Sequence, residues 1–140
     1  TMIALFQYMI GNTDWSVMNN HNVKEIISKK DSASRPFVVP YDFDYSGLVN
    51  AEYAIPSEAL GIEKVTDRIY RGYTRTPEEI KNALKLFQEK KDSVYMLINN
   101  CDILENSNKK EMVNYLDKFY DIINNKNQVE FIFIRNAVTQ

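Results

Sequence analysis

At 140 residues and 16.4 kDa the chain has the length of one domain or one lobe of a larger one. Its 44% hydrophobic and 12% aromatic content excludes global disorder, and a net charge of −2 with a pI near 5.4 excludes a general nucleic-acid binder that needs a basic face. A single cysteine, Cys101, excludes an internal disulfide and a Cys-rich zinc site, and reads as an inert core thiol.

The first six residues, Thr1-Met2-Ile3-Ala4-Leu5-Phe6, lie at once inside an apolar segment. That reads as a chain entered in the middle, a fragment whose targeting signal would lie upstream. Residues 2–10 are apolar almost all round, and their Met, Leu and Ala favour a buried helix that Gly11 stops. Asn12 to Asn22 is rich in Asn and Asp without periodicity, so it reads as a loop, with Trp15 as its anchor in the core. Val23–Ile27 and Phe37–Asp42 are β-branched runs separated by the polar, turn-like Ser28–Pro36, which predicts a β-hairpin with Pro40 where the second strand leaves the sheet. Ser57-Glu58-Ala59-Leu60-Gly61 suits one helical turn closed by Gly61.

The second half is helical. Thr76-Pro77-Glu78-Glu79 combines an N-cap, a first-turn Pro and a capping-box Glu, and Ile80, Ala83, Leu84 and Phe87 follow on one face. Ser93–Asn100 predicts a second helix. Ser107 caps a third whose stripe is Met112, Val113, Leu116, Phe119, Tyr120 and Ile123. Val129–Ile134 alternates like a strand, yet its helical neighbours favour a terminal helix. No apolar run approaches the ~20 residues of a membrane span. The expected fold is α+β, mostly helical with a small hairpin, in one domain over residues 1–140.

Two carboxylates carry the chemistry. Asp14 lies in Gly11-Asn12-Thr13-Asp14-Trp15-Ser16, ahead of His21-Asn22, and Asp42 lies in Val38-Val39-Pro40-Tyr41-Asp42-Phe43-Asp44-Tyr45-Ser46-Gly47. Phosphoryl transfer needs a carboxylate to orient or deprotonate the acceptor hydroxyl, and hard oxygen ligands to hold Mg²⁺ against the phosphates. Asp14, on a loop anchored by a buried helix, suits the first task. Asn22 offers an amide oxygen, Asp42 a carboxylate at a strand end, and Asp44 shares its face if the strand continues. Gly47 lets the chain turn away without a side chain in the phosphate path.

This order of buried helix, loop Asp, Asn, hairpin and Asp-Phe-Asp resembles the C-terminal lobe of the protein-kinase-like superfamily. The likeness is nearest to its atypical branches, the HipA-like kinases with a similar Tyr-Asp and the spore-coat CotH-like kinases with a similar aromatic-Asp-x-Asp. It covers roughly residues 2–50. It implies a catalytic Asp14, metal ligands at Asn22, Asp42 and secondarily Asp44, Mg²⁺ or Mn²⁺ and ATP as cofactors, and an unknown hydroxyl acceptor. Asn22 follows Asp14 by eight positions (22 − 14), where ordinary protein kinases use about five. Asp44 stands in place of the Gly of Asp-Phe-Gly, and no His-Arg precedes Asp14; His21 is either a loop-orienting residue or a plain structural histidine. No Gly-rich phosphate loop and no strand lysine are present, so the expected piece is a catalytic lobe without its nucleotide-binding lobe, binding nucleotide poorly by itself.

Arg68, Arg71 and Arg75, interleaved with Tyr70 and Tyr73, form a candidate anionic-substrate or partner surface, or else a solvated loop. Two other functions use the same residues: a degenerate kinase-like binding module, and a metal-dependent hydrolase or nuclease.

Overall fold

A computed structural model describes residues 1–30 and 36–139, so half of the linker between the two strands lies outside the described residues. The chain forms two compact units, one of Thr1–Ile10 with Tyr70–Gln140 and the other of Gly11–Ile69. The architecture is α+β and mostly helical with one antiparallel hairpin, and no helix among the described residues is long and apolar enough to cross a membrane.

The first unit is helical. Helix α1 (Met2–Ile10) buries Leu5 completely and ends at Gly11, whose φ of 66° is the left-handed conformation that glycine adopts without cost. Helix α2 (Pro77–Glu89) starts at the predicted capping box: Thr76 Oγ1 accepts from the Glu79 amide at 3.2 Å, and Glu79 Oε2 accepts from the Thr76 amide at 2.9 Å. These bonds satisfy two amides that have no partner inside the helix. Thr76→Ala is expected to cost about 1 kcal/mol in chemical unfolding. The Thr76 bonds also hold the Glu79 carboxyl below its ordinary range. A depressed folded-state pKa contributes stability above the unfolded value and loses it as pH falls through the folded one. Alanine keeps the Thr76 amide, the larger cause, and loses the hydroxyl's 3.0 Å bond to Glu79 Oε2, so only that smaller part of the cost of Thr76→Ala should fade in acid.

Helix α3 (Lys91–Asn99) follows after Lys90 alone, and α4 (Asn106–Asn124) runs back against it. Ser107 does not cap α4. Asn106 is already helical, so the cap position falls on Glu105, whose extended backbone makes no side-chain cap bond. Cys101 lies in the turn between α3 and α4, half-buried rather than in the core. The ambiguous tail is helical: α5 (Lys126–Val129), capped by Asn125 Oδ1, runs into a π-helical segment, Glu130–Arg135. The reason is Phe133, fully buried with its ring 5.0 Å from Tyr8 and 4.9 Å from Tyr70, edge-on to both. Phe119 extends the cluster, 5.8 Å from Phe87 and 5.3 Å from Tyr120. Gly72 passes so close to the Tyr70 ring that any Cβ there would strike it.

In the second unit, strands β1 (Val23–Ile26) and β2 (Phe37–Pro40) pair from Val23 opposite Pro40 to Ile26 opposite Phe37. A two-stranded ribbon is marginal by itself. Here it is extended by the Tyr41 amide donating to the Asn22 carbonyl at 3.0 Å, and anchored by buried Val23. Ser57–Gly61 makes the expected single turn, 3₁₀-helical over Glu58–Leu60, with Gly61 left-handed.

Candidate active site

The site is built within residues 11–69, where two stretches of chain run alongside each other. Asn12 pairs with Ser46 and the Gly47 amide donates to the Gly11 carbonyl at 3.1 Å, while Tyr41 bonds Asn22 at the other end. The loop carrying Asp42 and Asp44 is therefore pinned at both ends to the loop carrying Asp14. Trp15 is buried, as expected of an anchor, and the Asp14 amide donates to Asn12 Oδ1 at 2.9 Å in a local turn.

The eight-residue interval between Asp14 and Asn22 is folded into a miniature hairpin. Ser16 and His21 exchange both backbone hydrogen bonds at 2.9 Å, and residues 17–20 make the reversal, with Asn20 left-handed at φ 50°. The hairpin returns His21 and Asn22 to the Asp14 carboxylate. His21 Nε2 lies 2.8 Å from Oδ1, while the Asn22 amide nitrogen donates at 2.9 Å to both Oδ2 and the Asp14 carbonyl. A carboxylate gripped on both oxygens has a fixed direction. His21 is exposed and orients this carboxylate rather than filling a core position. Because the Asn22 nitrogen is spent on Asp14, its oxygen is the atom left to meet a cation.

Asp42 and Asp44 come together by a route different from the predicted one. The strand stops at Pro40, so the two do not share a strand face. Instead Asp42 turns left-handed at φ 58°, Asp44 Oδ1 accepts from the Tyr45 amide at 3.0 Å, and Asp44 Oδ2 accepts from the Tyr53 hydroxyl at 3.1 Å. A hydrogen bond between the Asp42 and Asp44 carboxyls raises the Asp42 pKa above the ordinary carboxylate range. The Asp44 charge, slight desolvation and the Asp14 charge add to the shift, and His21 opposes it. A pair of carboxylates close enough to share a proton is also a pair that a divalent cation can bridge. Among the described residues no group of three or more His, Cys, Asp and Glu side chains converges closely enough to hold a metal. A cation here would thus have the Asp42 and Asp44 carboxylates as its acidic ligands.

Asn22 and Asp42 are both left-handed, at φ 52° and 58°. Such backbone is costly for residues other than glycine and gathers at functional sites. Asp42→Gly removes this strain and the carboxylate repulsion, against the greater freedom of glycine in the unfolded chain. The variant is expected to be as stable as the parent or up to about 1 kcal/mol more stable, read by thermal unfolding.

Beside Asp14 and His21 opens a cleft of about 410 Å³, continued by Tyr45 and by residues from Ile55 to Val65. Sequence reasoning missed this wall, whose residues carry no catalytic pattern. None of Arg68, Arg71 and Arg75 lines the cleft. Arg68 belongs to the second unit, whereas Arg71 and Arg75 belong to the first, where Arg75 donates to Thr1 Oγ1 at 3.2 Å and to the Thr74 carbonyl at 2.8 Å. No protein-family model, curated protein or solved structure matches the chain.

Proposed function

We propose that the chain is the catalytic lobe of an atypical kinase-like phosphotransferase. The observation that carries this reading is one carboxylate held in fixed direction beside a second, paired set: Asp14 between His21 and Asn22, with Asp42 and Asp44 joined and within electrostatic reach of Asp14. In this reading Asp14 orients the acceptor hydroxyl and takes its proton as the oxygen bonds to the γ-phosphorus of ATP, whose bond to the β–γ bridging oxygen breaks to release ADP. Asn22, Asp42 and Asp44 would hold Mg²⁺ or Mn²⁺, which would supply positive charge against the phosphates of ATP. His21 acts through Asp14 as a positioning residue.

Calorimetric titration of the chain with Mn²⁺ or Mg²⁺, with and without ATP, tests the metal half of the proposal. Binding is expected in the parent and absent in Asp42→Gly, although that variant keeps its fold. Equal binding in both would remove Asp42 from the role. A second reading, a degenerate kinase-like binding module, draws on the lack of three converging acidic or histidine ligands among the described residues. Absence of metal binding in the parent would favour it.

A further inference from the structure

We propose that the cleft beside Asp14 is the acceptor site and that it takes a small alcohol, neutral or positively charged, with an apolar group next to its hydroxyl. The word acceptor rests on the phosphotransferase reading, whereas the ligand preference rests on the cleft itself.

The volume of about 410 Å³ lies in the range of small-ligand sites, roughly 300–1,000 Å³. Its polar lining includes Thr13, Asp14 and His21, and its apolar lining includes Ile55, Leu60 and Val65. Among the described residues no lysine or arginine lines it, so its one formal charge is the Asp14 carboxylate, with His21 beside it. A ligand with its own carboxylate or phosphate would meet that charge without a compensating cation. A neutral or cationic alcohol can instead present its hydroxyl to Asp14 and lay its apolar part on Leu60 and Val65.

The apolar wall is held by local bonds, which makes it a formed surface rather than a loop awaiting a partner. The Leu60 amide donates to the Ser57 carbonyl at 3.0 Å, and Asp67 Oδ2 accepts from the Glu63 and Lys64 amides at 3.2 and 3.0 Å. Val65 is buried there, while Ile55 stands 76% exposed at the rim, where an apolar ligand group would cover it.

Trp15 is the only tryptophan and adjoins Asp14, so its fluorescence reports on the cleft without nucleotide or turnover. The probes are phenethyl alcohol, phenylethanolamine and phenyllactate, which share a phenyl ring and a hydroxyl and differ in charge. The first two are expected to give saturable shifts in Trp15 emission and in the amide resonances of Asp14 and His21. Phenyllactate should bind at least about tenfold more weakly. Asp14→Asn should bring phenyllactate to within about threefold of phenethyl alcohol, and Leu60→Gln, which adds no charge, should weaken phenethyl alcohol and phenylethanolamine alike. The proposal is overturned if phenyllactate binds the parent as well as the others, if none of the three binds, or if an uncharged serine-containing peptide binds more than about tenfold tighter than phenethyl alcohol. Phosphoryl transfer from ATP by the full-length protein is measured separately. If it is absent while the charge preference holds, the phosphotransferase reading fails and the ligand assignment stands.

Discussion

Asparagine in place of Asp14 is expected to lower the proposed phosphoryl transfer by about 10²–10⁴-fold, the usual contribution of a positioned proton acceptor. The geometry around the side chain explains why this loss should be chemical rather than structural. An amide has the shape of the carboxylate, so its oxygen can still accept from the Asn22 amide and its nitrogen can face His21. What disappears is the basicity at the atom that meets the acceptor. Thermal unfolding should shift little, and metal titration should remain, since Asp42 and Asp44 are untouched. Asp42→Gly is expected to give the opposite pattern, with the proposed metal binding lost and stability kept. A variant at Asp14 that transfers phosphoryl groups at the parental rate would remove it from the chemistry altogether.

Phe119→Ala is expected to cost about 3–5 kcal/mol, measured by urea unfolding. Phe119 has no exposed surface, and its ring lies 6.3 Å from Tyr8, 5.8 Å from Phe87 and 5.3 Å from Tyr120. These neighbours sit on α1, α2 and α4, each held by its own backbone ladder. They cannot all move inward to fill the space, so the variant loses burial and also keeps a cavity. Such a loss is comparable to the total stability of many small domains. A cost below about 1 kcal/mol would mean that the aromatic cluster is not a packed core.

The helical half was legible because its signals are local. The Thr76–Glu79 capping box and the Ile80, Ala83, Leu84 and Phe87 stripe are written within a few residues, and the helix occurs where they place it. Ser107 shows the limit of such reasoning. A serine near a helix start is a cap only if the chain turns helical immediately after it, and here the helix begins two residues too early for that, with its cap at Glu105. The tail over residues 129–134 was ambiguous because nearly all of its side chains are apolar. Its helical form follows from where Phe133 finds Tyr8 and Tyr70, a contact spanning most of the chain.

For the candidate site, the sequence by itself determined which residues have the right chemistry: Asp14, Asn22, Asp42 and Asp44, a set of hard oxygen donors in a loop and beside a strand. Residue type and order fix what a side chain can donate, accept or bind. Only the tertiary structure decided which of them meet. The eight-residue interval looked like a departure in spacing, and it is absorbed by the Ser16–His21 hairpin, which returns His21 and Asn22 to Asp14. Asp42 and Asp44 meet through a left-handed turn rather than along a strand, because backbone conformation and not alternation sets their directions. The apolar wall of the cleft left no trace in the pattern, since ordinary residues become a binding surface only through the turns that gather them.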